Sequence, residues 1–381
     1  MTRRAWLAAP AALAALPLVA AAQIRVDARS SVFYESYTFD TLIVFNRVSE
    51  LTVPVGVNIR FGTAATMSLS GGYAQVDLRT ADPAQLANQT ISGPLDTEAR
   101  LSLNVVPGKL VALFTGVIPT GTKAVQLEEL AVLGAISSDV IGFASSNLGT
   151  GGNVGGGFAG AIPVGKFALG FGATYKQPMA YVPVLGETDQ LKPGGELRLR
   201  SGLEGSVARR TYMRLAGIYV RTQKDKIALP GVGDSTKHGV GNRIIGYVSV
   251  NQGLGAGSVT LYGFDVFRGD PQIEQTAQGA ALLPRGNLLA VGGRIDWPVG
   301  QRLIMSPQAE LRLSAAAPDT TVTALERLGQ SLRIGTDVRF DVASTASLVL
   351  QGGVVTGYVV QSGTNVKLSG YRVSLHLELR P

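Results

Sequence analysis

Leu51-Thr52-Val53-Pro54-Val55-Gly56-Val57-Asn58-Ile59-Arg60-Phe61 is the stretch that decides the fold. Leu51, Val53, Val55, Val57, Ile59 and Phe61 recur every second residue, with Thr52, Pro54, Gly56, Asn58 and Arg60 between them. A period of two places one set on each side of an extended chain, so this is a strand with one apolar face. The end of the chain repeats the pattern: Tyr371, Val373, Leu375, Leu377 and Leu379 alternate with Arg372, Ser374, His376, Glu378 and Arg380. So do Leu303–Leu313 against Arg302, Gln308, Glu310 and Arg312, and Leu332–Phe340 against Arg333, Asp337, Arg339 and Asp341.

The strands are joined by two kinds of connection. Tight turns are predicted at Gly62-Thr63, Pro107-Gly108-Lys109, Val164-Gly165-Lys166, Ala208-Arg209, Gly253-Leu254-Gly255, Val299-Gly300-Gln301 and Ala343-Ser344. Longer connections fall near 80–93, 119–151, 180–192, 226–238, 269–284, 316–328 and 361–367. Short turns at one end and long loops at the other define a transmembrane antiparallel up-and-down β-barrel, all-β in class. Fifteen strands are legible from Leu51 onward, and a further strand within Ile24–Phe45 gives the even number sixteen. Fourteen and eighteen are the neighbouring counts. Tyr212–Arg221 and Val259–Arg268 alternate poorly, which predicts bulges or switched faces there.

Composition agrees with that class. Of 381 residues, 45% are hydrophobic, 16% are charged, 48 are glycine and none is cysteine. Without cysteine, disulfide scaffolds, zinc ribbons, iron–sulfur clusters and thiol catalysis are excluded. Two histidines, His238 and His376, are little material for a metal site, and neither a cofactor nor a metal is expected. Residues 1–22 read as a signal peptide: Arg3 and Arg4, an apolar run from Ala5, then Ala20-Ala21-Ala22 before Gln23. Residues 23–381 then form one barrel domain in the outer membrane with periplasmic termini. They carry 32 basic and 27 acidic groups, a mild +5 that implies no nucleic-acid partner.

Energetics assigns the faces. Arginine on the lipid side at mid-bilayer costs about 2–4 kcal/mol, so the charged face looks into the lumen. The predicted lining is Arg198, Arg200, Glu204, Arg294, Asp296, Arg302, Glu310, Arg312, Arg333, Asp337, Arg339 and Asp341. Phe61, Trp297 and Tyr371 sit near predicted strand ends on the apolar faces, where girdle aromatics belong. A secreted sandwich or propeller with the apolar faces packed inward is the soluble alternative. Its strands are usually shorter, and no blade-sized repeat is visible.

Other motifs have plain readings. Gly155-Gly156-Gly157-Phe158-Ala159-Gly160 matches G-x-G-x-x-G, but no helix follows, so it reads as small residues on the inner face of a barrel strand. His376 would need a serine and an acid converging on it to support hydrolysis, and one strand does not supply them. No enzymatic activity is expected. In the longest connection, Lys123–Ile136 places Val125, Leu127, Leu130, Leu133 and Ile136 near helical spacing, opposite Glu128 and Glu129. This short amphipathic helix is expected to fold over or into the lumen. Leu127, Glu128, Glu129 and Leu130 are candidates for a constriction or a greasy mouth; a packed lid without a ligand role is the other reading.

The order Gly93-Pro94-Leu95-Asp96-Thr97-Glu98, Ile118-Pro119-Thr120-Gly121, Thr150-Gly151-Gly152 and Leu169-Gly170-Phe171-Gly172-Ala173-Thr174-Tyr175 resembles outer-membrane transport barrels. It is similar to the FadL-like channels and the transporters of aromatic-degradation pathways, over residues 50–180. The resemblance implies passive diffusion of small solutes, hydrophobic or aromatic compounds among them. The Asn-Pro-Ala element of the FadL-like hatch is missing, so no hatch is implied. The chain also ends Leu379-Arg380-Pro381 in place of a terminal aromatic. Expected partners are outer-membrane lipid, barrel-assembly machinery and small-molecule solutes. Homo-oligomerisation is open, because no interface signal is visible. A plugged structural or adhesive barrel is the alternative function.

Overall fold

The computed structural model describes residues 24–40, 45–82, 84, 87–229, 233–273, 284–318, 324–361 and 363–380. The predicted signal peptide lies outside them. The strands are β1 Ile24–Phe39, β2 Phe45–Phe61, β3 Ala65–Thr80, β4 Gln89–Val106, β5 Leu110–Ile118, β6 Asn153–Val164 and β7 Phe167–Pro178. They continue with β8 Gln190–Lys192, β9 Glu196–Ala208, β10 Thr211–Thr222, β11 Asp225–Leu229, β12 Gly233–Gly239 and β13 Arg243–Leu254. The last are β14 Gly257–Arg268, β15 Gln272–Ile273, β16 Gly286–Pro298, β17 Leu303–Ala316, β18 Glu326–Ala343, β19 Ala346–Gln361 and β20 Thr364–Leu379. One helix, α1 Leu130–Ile136, follows a 3-10 turn at Leu127–Glu129.

Sixteen of these strands close into one antiparallel barrel, and β1 joins the ends by pairing with β2 and β20. Closure leaves no sheet edge, so backbone donors and acceptors are satisfied between neighbours even where no water reaches them. No helix among the described residues is long and apolar enough to cross a membrane. The sixteenth strand, expected within Ile24–Phe45, is β1. All seven predicted tight turns form at one end of the barrel, the turn end; the opposite end is the loop end.

The alternation read from sequence separates two faces. Val55, Leu375 and Ile334 point outward and are 49%, 44% and 52% exposed, whereas Glu35 and Glu50 point inward and are 1% exposed. Phe61 and Trp297 lie outward at the turn end. Tyr371, predicted near a strand end, instead lies mid-strand with its ring 6.0 Å from Tyr34. The reason is that β20 begins at Thr364, in register with Gln361, so residues 364–367 of the expected loop are strand.

Further expectations change. Residues 226–238, predicted as a loop, contain β11 and β12, which form a separate four-stranded sheet with β8 and β15 at the loop end. That sheet pairs backbone groups that long loops would otherwise leave to water. β10 has the expected register shift, at Thr211/Tyr212, but β14 pairs without a shift on both sides. Its weak alternation arises because Tyr262, Phe264 and Val266 are inward positions; the Arg312 guanidinium lies 5.9 Å from the Phe264 ring centre. The Gly155–Gly160 run lies within β6 as expected, but alternation divides it between the two faces, with Phe158 outward and 46% exposed. A Cβ on Gly157 would overlap the carbonyl oxygen of Ala173 on β7.

Candidate functional site in the barrel lumen

The long connection between β5 and β6 enters the lumen. Val125, Val132, Ile136, Val140, Ile141, Phe143 and Leu148 pack against Tyr37, Val48, Ala74, Val76, Leu78, Ile91, Val355 and Leu368 in one buried cluster. The wall residues in that cluster share the inward face of their strands with Glu35, Glu50 and Arg372. The loop therefore sits inside the barrel near its loop end. Each fully buried aliphatic or aromatic side chain contributes about 1.5–3 kcal/mol, so seven of them make the loop a fixed part of the wall.

Polar contacts add position to that burial. The Ser145 N–H donates to Glu50 Oε1 at 2.8 Å, the Ser331 hydroxyl to the Val140 carbonyl at 2.8 Å, and Arg333 to the Gly142 carbonyl at 3.1 Å. The stems of the loop are pinched together. Asp96 accepts from Gly121 N–H at 2.9 Å and from Thr150 N–H at 2.7 Å, one stem on each oxygen. A Cβ on Gly149 would lie 2.8 Å from the Thr122 carbonyl carbon, so only glycine fits that neck.

The predicted helix is shorter than its pattern. Residues 127–129 make a 3-10 turn, which shifts the phase, and α1 spans only Leu130–Ile136. Val125, Val132 and Ile136 are buried, whereas Leu127 and Leu130, expected on the same apolar face, are 66% and 38% exposed. Glu129 turns back to accept from the Gln126 N–H at 2.8 Å, and Glu128 is exposed. None of the four constriction-loop candidates belongs to the buried cluster; the loop is held by Val125 and by residues between 132 and 148.

Eleven of the twelve predicted lining residues occupy inward strand positions. Arg302 does not: it is exposed in the turn before β17. The others are mostly paired. Arg294 bonds Asp296 at 2.7 Å and Asp337 at 2.9 Å, Arg312 bonds Glu310 at 2.6 Å, Arg339 bonds Asp341 at 3.0 Å, and Arg214 bonds Glu204 at 2.8 Å. Arg333 stands 3.9 Å from Glu310. Glu196 takes both Arg198 and Arg243.

On the β4–β9 wall a cavity of about 280 Å³ is lined by Arg100, Lys176, Arg198 and Arg200 against two carboxylates, Glu98 and Glu196. Sequence reasoning missed Glu98 and Arg100, although Ala99, Leu101 and Leu103 alternate with them. It also missed Glu35 and Glu50, whose inward neighbours Tyr37 and Val48 are apolar because the loop covers them. Above the barrel, burial pushes the Tyr181 phenol up, with Asp225 and Asp96 adding to it. The hydrogen bond from Arg285 holds the exposed Asp270 carboxyl low.

His376 has partners from two strands. Its Nδ1 lies 2.8 Å from Ser31 Oγ on β1, and its Nε2 lies 2.8 Å from Ser374 Oγ. His238 lies in β12, opposite Asp225 in register. No group of three or more metal-binding side chains occurs among the described residues.

Sixteen closed strands with an apolar exterior, a charged interior and a loop folded inside define a transmembrane β-barrel. No known protein family and no curated protein matches the chain. Among solved structures it is similar to OccAB3 of Acinetobacter baumannii, at 8% identity and a TM-score of 0.47, over 94% of this chain and 100% of that one. OpdL of Pseudomonas aeruginosa gives 9% identity and 0.46, over 94% and 99%. OmpT of Vibrio cholerae, with its loop L8 deleted and titled an outer membrane protein, gives 10% and 0.41, over 93% and 99%. The strand count and the two faces stand on the register itself.

Proposed function

We propose that the protein is an outer-membrane channel through which small solutes diffuse, with the 119–152 loop narrowing the lumen. The observation that supports this most is the pairing of a charged inner wall with a loop fixed against one side of it. Water and small polar solutes are stabilised along such a wall, and an apolar exterior is stabilised by lipid. On the β4–β9 wall Arg100 and Arg200 add positive charge beyond what Glu98 and Glu196 offset, which favours anionic solutes.

A second reading takes hydrophobic or aromatic solutes. It is favoured by Leu127, Leu130 and Leu185, which are exposed on neighbouring loops linked by the Val125–Val184 bridge. The test is single-channel conductance of the purified protein in a planar bilayer, with the reversal potential measured in a salt gradient. Discrete steps with anion preference support the first reading. Discrete steps without charge preference, together with uptake of aromatic acids and their neutral esters at equal rates, support the second. A folded barrel that passes no current overturns both and leaves a structural or adhesive role.

A further inference from the structure

We propose that Ser31 and His376 form a nucleophile–base pair in the lumen that cleaves small carboxylic esters. One arrangement around a neutral His376 makes every hydrogen bond of the chain from Ser31 to Asp337. An ionised Asp337 only accepts, so Gln351 must present its Nε2 amide to Oδ1, at 2.8 Å. That turns Gln351 Oε1 toward Ser374, whose hydroxyl donates to it at 3.2 Å. With that proton committed, Ser374 Oγ accepts from His376 Nε2–H at 2.8 Å. The free lone pair is then on Nδ1, and the Ser31 hydroxyl 2.8 Å away donates to it. A serine hydroxyl held on a base nitrogen, with the tautomer set by a chain ending on a carboxylate, is the arrangement that activates serine.

The surroundings fit the chemistry. Ser31 and His376 are register partners on β1 and β20, so neither depends on a loop for its position. The Phe33 ring meets the imidazole edge-on at 4.8 Å and fixes its plane. Both residues line a cavity of about 470 Å³ together with Arg29, Asp96, Glu98 and Glu378. Arg29, two residues before Ser31 on the same inward face, lines the same cavity and is the cation of that lining available to a developing oxyanion.

The reaction balances with water alone. Ser31 Oγ attacks the ester carbonyl carbon as its proton passes to Nδ1. The bond to the alcohol oxygen breaks, and that oxygen takes the proton from Nδ1. Water, deprotonated by the same nitrogen, then attacks the acyl-serine, releases the acid and returns the proton to Ser31 Oγ. Ser31 and His376 are catalytic residues; Ser374 and Gln351 are positioning residues.

The full protein, refolded in detergent and checked by heat-modifiable mobility, is treated with a small fluorophosphonate, and the labelled peptide is identified by mass spectrometry. Hydrolysis of 4-nitrophenyl acetate is followed on the same samples. The expected result is one label, on Ser31, and esterase activity lost by at least about 100-fold in Ser31→Ala and His376→Ala, the scale of general-base assistance. Ser374→Ala lowers kcat and leaves KM in place, because it frees the tautomer without touching the ester. A folded wild-type barrel that takes no label, or one labelled equally in Ser31→Ala, overturns the proposal. Conductance of the same samples is read separately, so a silent barrel that labels and a conducting barrel that does not are distinguishable.

Discussion

Glu50 on β2 accepts a hydrogen bond from the Ser145 backbone N–H at 2.8 Å, tying the barrel wall to a loop 95 residues further along the chain. The same oxygen takes the Thr52 hydroxyl at 2.5 Å. Glu50→Ala removes the acceptor and leaves a part-buried N–H unpaired, at a cost of about 1 kcal/mol. The expected outcome is a lower unfolding midpoint by heat-modifiable mobility and a noisier open channel. Glu50→Gln retains the acceptor oxygen and should change both much less.

The pinched neck makes a clean deletion possible. Thr122 and Gly149 are in contact, so removing Lys123–Leu148 and joining those residues leaves the barrel strands in place. Single-channel conductance should rise, because the loop is taken off the inner wall. An unchanged conductance refutes the constriction role. Removing only Lys123–Ile136 should do less, since the anchors Val140, Ile141, Phe143 and Leu148 remain.

Asp96 holds both stems of that neck. In Asp96→Ala the amides of Gly121 and Thr150 lose their acceptor, and hydrogen exchange should speed up across residues 120–150 while the barrel strands stay protected. Faster exchange spread over the strands as well would show that Asp96 supports the barrel and not the neck.

Charge on the β4–β9 wall should set ion preference. Arg200 lines the cavity there beside Arg100 and Arg198. Arg200→Glu should move the reversal potential toward cations in a salt gradient, and more so at low ionic strength, where screening is weakest. A reversal potential that stays put would remove this wall from the ion path.

Trp297 reports on the exterior. In a variant produced without residues 1–22 it is the single tryptophan, and it is 65% exposed on the outward face. In lipid vesicles its emission should shift to the blue and be quenched by brominated acyl chains. Emission unchanged between buffer and vesicles would argue against lipid contact at that face.

Leu51–Phe61 and Tyr371–Leu379 determined the all-β class by themselves, because side-chain period in a strand is set by backbone geometry alone. Fifteen legible strands and the requirement of an even number pointed to sixteen, with fourteen and eighteen beside it, and the cost of arginine in lipid gave the inward face of eleven of the twelve lining residues. Tertiary structure decided what the lumen holds. Whether Lys123–Ile136 lies over or inside the barrel depends on Val48, Val76, Leu78 and Leu368, wall positions whose apolar character makes sense only beside the loop that covers them. The phase of that loop turned on a 3-10 step at Leu127–Glu129, which periodicity does not resolve. Ser31 meets His376 for the same kind of reason. They are 345 residues apart, and only closure of β1 on β20 makes them neighbours. Local pattern fixes which way a side chain points; which other side chain it meets is fixed by closure, a property of the whole chain.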